Sequence, residues 1–88
     1  MRKIFMKNKK KQVAISDFYL AAFLRAKGFR LLKVEWDKNN PHRAFFVFED
    51  KEGRESLIEN FLFGKAKIEP KSFISAIKEL KQLLHSNL

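Results

Sequence analysis

Glu49-Asp50-Lys51, following Asp37, is the stretch of this 88-residue chain whose residue types could do the most demanding chemistry. Read as Glu-x-Lys on a strand, it has the carboxylates and lysine of many metal-dependent nucleases, where two acids share one cation. Geometry decides against it. A hairpin with Asp37 facing Arg43 puts Asp37 at the turn end and Glu49 at the open end, six residues beyond Arg43. At ~3.3 Å per residue the two carboxylates stand roughly 20 Å apart, far outside the reach of one ion. These acids read instead as a strand end and a helix start.

The remaining residues offer no better constellation. His42 sits in a turn and His85 near the C-terminus, and neither has a histidine or carboxylate ligand one helical turn away. There is no cysteine, which removes disulfides, thiolate metal sites and cysteine nucleophiles. No nucleophile stands in a glycine-rich elbow, and Gly28, Gly53 and Gly64 read as punctuation rather than a phosphate cradle. The expectation is a non-enzyme with no metal, no cofactor and no evident small-molecule ligand.

Charge is the compositional outlier. The formal net charge is +9, and Arg2, Lys3, Lys7, Lys9, Lys10 and Lys11 contribute six of those charges with no acid among residues 1–11. Residues 12–88 hold 13 basic and 10 acidic residues, a mild +3. A basic arm of this kind suits a polyanion such as DNA or RNA, and it also suits a tail that only solubilises. The leading expectation is a nucleic-acid-binding accessory protein that grips phosphates through residues 1–11. Neutralising all six arm charges against a duplex predicts a log–log salt slope near ~−5. Lys71, Lys78 and Lys81 would add a second contact surface, or form an ordinary solvated helix face.

An aromatic alternative lies in Arg43-Ala44-Phe45-Phe46-Val47-Phe48. It echoes the RNA-recognition strand that displays aromatics on an open sheet, but Phe46 stands where that pattern wants Gly or Ala. Phe45, flanked by Lys33 and Arg43, could still stack a base while the cations meet phosphates. Otherwise Phe45 and Val47 are covered by a helix or a second subunit, which makes the chain a protein-interaction or homodimer module.

These side chains need elements to hold them. Leu32, Val34 and Trp36 alternate with Lys33, Glu35 and Asp37, the period-two pattern of a half-buried strand. Lys38-Asn39-Asn40-Pro41-His42 reads as the turn and Arg43–Glu49 as the return strand. The expected register pairs Trp36 with Ala44, Val34 with Phe46 and Leu32 with Phe48 on the core face. Glu35–Phe45 and Lys33–Val47 then fall on the other. Before this hairpin, Gln12–Ile15 is a short strand, and Ser16 or Asp17 caps a helix from about Phe18 to Lys27, stopped by Gly28. After it, Leu57, Ile58, Phe61 and Leu62 form one helical stripe ended by Gly64. Pro70 opens a last helix with Phe73, Ala76, Ile77, Leu80, Leu83 and Leu84 inward and Lys71, Ser75, Lys78, Gln82 and His85 outward.

The order is β-α-β-β-α-α, an α+β fold with a two- to three-stranded sheet, a central hairpin and three packing helices. A right-handed crossover would run the first strand parallel to the second. Residues 1–11 are expected to be a flexible basic arm and 12–88 one compact domain, since 45% apolar residues and ten Phe can fill a single modest core. Met1–Lys11 is not expected to be an export signal, because Ser16-Asp17 breaks the apolar run and Phe18–Leu24 is short for an export core. A cytoplasmic, non-membrane protein is expected.

Ser16-Asp17-Phe18-Tyr19-Leu20-Ala21-Ala22-Phe23-Leu24, Lys27-Gly28-Phe29 and Phe46-Val47-Phe48-Glu49-Asp50 resemble a family of small prokaryotic proteins, domain of unknown function 5659. The likeness continues through Phe61 and Gly64 to Phe73, Ala76-Ile77 and Leu80-Lys81, roughly residues 13–84, and leaves the basic arm outside. The resemblance implies a compact cytoplasmic domain and supplies no activity, so it assigns no functional residue.

Overall fold

The computed structural model describes residues 11–86. The elements are β1 (Gln12–Ile15), α1 (Phe18–Ala26), β2 (Leu31–Trp36), β3 (Ala44–Glu49), α2 (Arg54–Leu62) and α3 (Pro70–Ser86). This is the expected β-α-β-β-α-α order. The strands form one antiparallel sheet in the order β1-β3-β2, so β1 and β2 run parallel to each other with β3 between them. The central place of β3 follows from its composition. Ala44–Phe48 is a continuous apolar run, and a strand flanked on both sides is the one that can bury both of its faces.

One face of the sheet meets the helices. Ile15, Phe46 and Phe48 join Leu20, Ala21, Ala22, Phe23 and Leu24 of α1, Phe29, and Ala76 and Leu80 of α3 in a single core. Asp17 caps α1 by accepting the N–H groups of Tyr19 and Leu20 at 3.1 and 3.2 Å. Gly28, at φ 97°, ends it in the left-handed region that a side chain would resist. Tyr19 departs from the rest of α1. It is exposed at the helix's N-terminal end, edge-on to Phe18.

The hairpin register is as expected for Trp36–Ala44, Glu35–Phe45, Val34–Phe46 and Lys33–Val47, and it fails at Leu32. Phe48 is paired with Leu31, because a bulge falls between Leu31 and Lys33. Leu31 therefore packs against the core, and Leu32 is turned out to 37% exposure. Leu31→Ala is accordingly expected to cost about 1–2 kcal/mol in urea unfolding, and Leu32→Ala less than ~0.5 kcal/mol. Equal costs for the two would refute the bulge.

The second half of the stripe in α2 also departs from expectation. Leu57, Ile58 and Phe61 reach the core, with Phe61 5.3 Å from Phe23 between ring centroids, but Leu62 and the following Phe63 stay in solvent. Asp50–Glu52 lie outside the helix, which begins at Arg54 after Gly53 in a left-handed conformation (φ 93°). In α3 the apolar stripe is inward as expected, with Ala76 and Leu80 buried and Phe73, Ile77, Leu83 and Leu84 packed beside them. No helix among the described residues is long and apolar enough to cross a membrane.

Candidate nucleic-acid interface

The outer face of α3 is built by helical spacing alone. Once Phe73, Ala76, Ile77 and Leu80 point inward, Lys71, Ser75, Lys78, Lys81, Gln82 and His85 must point out, and all six are exposed. Lys71 and Lys81 are ten residues apart, about 15 Å along the axis. The only acid within the helix, Glu79, is turned aside, accepting a 3.2 Å ion pair from the Arg25 guanidinium of α1. Among the described residues none of Lys71, Lys78 and Lys81 is in an ion pair. The result is a strip of three exposed ammonium groups, of which Lys71 shares a groove with Glu69 and Glu79. Ile74, half exposed, lies within the strip at three and four residues from Lys71 and Lys78. The same spacing could have found it in the sequence.

The N-terminus of α3 is not available to an anion. Glu69 fills it, accepting from the Lys71 and Ser72 N–H groups at 3.1 and 2.8 Å and from the Ser72 hydroxyl at 3.0 Å. Those bonds, the backbone ones first, hold the Glu69 carboxyl below its ordinary value. The neighbouring groove of about 350 Å³ brings Glu69 and Glu79 together with Arg25 and Lys71, a balanced charge set.

The outer face of the hairpin gathers Lys33, Arg43, Phe45 and Val47 as the register requires, and each is already engaged there. The Arg43 guanidinium lies 5.0 Å from the Phe45 ring centroid and donates to the Ser16 hydroxyl at 3.3 Å. Lys33 pairs with Glu35 at 2.9 Å. Val47 is only 4% exposed, since the central strand sets it between Ala14 and Lys33 on its neighbours. The sticky surface expected at Phe45 and Val47 is thus reduced to part of one ring.

Glu49-Asp50-Lys51 proves to be a structural junction. The Asp50 N–H donates to the Lys11 carbonyl at 2.9 Å, extending the β1–β3 ladder by one bond. Its carboxylate takes both Nε and Nη2 of Arg54, at 3.0 and 3.1 Å, tying β3 to the first residue of α2. The Lys51 ammonium lies 4.7 Å from the Phe29 ring centroid and 3.5 Å from the Gly28 carbonyl at the end of α1. Asp37 sits at the far end of the hairpin, its N–H on the Arg43 carbonyl at 2.8 Å and its carboxylate on the Asn39 N–H at 2.9 Å. Among the described residues no three His, Asp or Glu side chains come together as a metal site.

The bond to Arg54, outweighing the effect of burial, holds the Asp50 carboxyl below its ordinary value. A depressed carboxyl stabilises the fold fully above the unfolded-state pKa and loses that contribution as pH falls through the folded one. Asp50→Asn should therefore lower Tm at neutral pH, by the equivalent of about 1 kcal/mol. The gap to the parent should close as pH drops toward ~3. A gap that stays constant with pH would contradict the assignment.

Of the arm, only Lys11 lies within the described residues, and its carbonyl is part of the sheet edge. Arg2, Lys3, Lys7, Lys9 and Lys10 lie outside them. A family model described as Domain of unknown function (DUF5659) matches residues 5–86. The match includes Lys7, Lys9, Lys10 and Lys11, so most of the basic stretch falls inside the family's extent rather than outside it. No curated protein and no solved structure is significantly similar to the chain.

Proposed function

This chain belongs to the family of domain of unknown function DUF5659, and from its own surface we propose that it is a non-catalytic nucleic-acid-binding accessory protein. The observation that carries the reading is the strip of Lys71, Lys78 and Lys81, exposed and in no ion pair among the described residues. With the arm cations Arg2, Lys3, Lys7, Lys9, Lys10 and Lys11 it offers nine charges to a phosphate backbone. Ammonium groups on flexible stems meet phosphates without reading bases, so binding is sequence-tolerant, mostly electrostatic and open to DNA or RNA. A cytoplasmic location fits a chain with no cysteine.

The alternative, a protein-interaction or homodimer module on the outer hairpin face, has less to work with once Val47 is buried and Phe45 carries its own Arg43. Phe45→Ser would dissociate such a dimer and leave phosphate binding intact. The direct test is fluorescence anisotropy with labelled duplex DNA and single-stranded RNA at two salt concentrations. It compares the intact chain with a variant carrying Gln at Arg2, Lys3, Lys7, Lys9 and Lys10. The reading requires salt-sensitive binding that weakens in the variant. No binding by the intact chain at low salt would overturn it.

A further inference from the structure

The free edge of β2 is a surface that phosphate binding does not use. Among the described residues β2 is paired on one side only, to β3. The Asp37 N–H donates to the Arg43 carbonyl at 2.8 Å, which makes those two a hydrogen-bonded pair. Antiparallel alternation then makes Glu35–Phe45 and Lys33–Val47 bonded pairs as well. The backbone N–H and C=O groups of Val34 and Trp36 are left pointing away from β3, and such a row is a template for another strand.

The side chains along that edge suit a strand of the same sequence. On the outer side Lys33 and Glu35 are each about half exposed and 2.9 Å apart. On the helix side Leu32, turned out by the bulge, joins Val34 in a groove of about 460 Å³ whose far wall is Glu79 and Leu83 of α3. Glu79 is already neutralised by Arg25, so the groove offers apolar surface rather than charge. Trp36, half-buried, stands two residues along from Val34 on the same side.

Register selects the occupant. Two copies of β2 can pair antiparallel about a two-fold axis centred on any residue of the strand. Centred on Lys33 or on Glu35, they set two like charges directly opposite each other. Centred on Trp36, they set Glu35 against Asp37. Centred on Val34, they place Lys33 of each copy opposite Glu35 of the other, and Trp36 beside the partner's Leu32. In that register both cross-strand charge pairs are of opposite sign. The edge-facing backbone groups of Val34 also meet those of their own copy, as an antiparallel ladder requires.

We propose that the chain forms a two-fold dimer by pairing β2 with β2 of a second copy, centred on Val34, which joins the two three-stranded sheets into one. The contact uses β2 and the phosphate reading uses α3 and the arm, so either can fail alone.

Sedimentation velocity of the intact chain over a dilution series should show a reversible monomer–dimer equilibrium. Lys33→Glu and Glu35→Lys each turn both cross-strand pairs into like-charge pairs, so either alone should weaken self-association about tenfold or more. Both side chains are exposed, and circular dichroism should show each variant folded. Mixed in equal amounts, the two variants should recover the dimer, because every Glu then faces a Lys. Phe45→Ser should leave the equilibrium unchanged. An intact chain that is monomeric at every concentration overturns the proposal, as does a dimer indifferent to Lys33→Glu, or a pair of variants that stays monomeric when mixed. Dissociation by Phe45→Ser assigns the contact to the outer hairpin face and also overturns it.

Discussion

Phe48→Ala is expected to lower the unfolding free energy by about 3–5 kcal/mol. Phe48 is 0% exposed, stands in the central strand between Val13 of β1 and Leu31 of β2, and faces the helices. A ring there touches both layers, and the hole left by its removal cannot be closed from either side without moving a strand. For a domain of this length the whole stability is on the order of 4–13 kcal/mol, so the variant should sit near the edge of folding at 37 °C. Phe45→Ala, three residues back on the opposite face, should cost only about 1 kcal/mol or less. Urea midpoints of the two variants measure the contrast directly. Comparable losses would mean that the sheet is packed on both faces.

The second large effect concerns salt. Replacing Lys71, Lys78 and Lys81 together with alanine should leave the fold intact, since the three side chains are exposed and no ion pair among the described residues depends on them. If each ammonium meets a duplex phosphate, the triple variant loses about 2.7 from the steepness of the log–log salt dependence. Between 50 and 200 mM salt the intact chain should then lose ~40-fold more affinity than the variant. An unchanged slope would remove α3 from the interface and leave the arm alone to carry it.

Much of this was legible from residue order because periodicity reports which side a residue faces. The inward stripe of α3 and its lysine face follow from a spacing of three and four, and the pairing of Val34 with Phe46 from strict alternation on both strands. Leu32 was not legible, because Leu31 and Leu32 are chemically identical neighbours and either satisfies the pattern. The choice is made by the backbone next to them, where Glu49 donates to the Arg30 carbonyl at 2.9 Å and Phe29 is fully buried. Leu62 was misplaced for a related reason. It lies five residues beyond Leu57, where helical spacing has already rotated it to the flank of a nine-residue helix. Val47 was expected either to be used by a ligand or to be covered by a helix or second subunit; alternation gives the face but not the strand order, and it is the central position of β3, between Ala14 and Lys33, that buries it. The grip of Asp50 on Arg54 was not read from the sequence, because Asp50 lies outside α2 and the four-residue spacing closes only through the turn at Gly53.

The central claim is that phosphates meet the outer face of α3, and amide chemical-shift mapping of the intact chain tests it most directly. Nitrogen-15 protein is titrated with a short DNA duplex at low salt and followed residue by residue. The account predicts that the signals moving most among residues 11–86 lie in α3, around Lys71, Lys78 and Lys81, and that they return when salt is raised. Shifts confined to Lys33, Arg43, Phe45 and Val47, or no shifts at all, would contradict it.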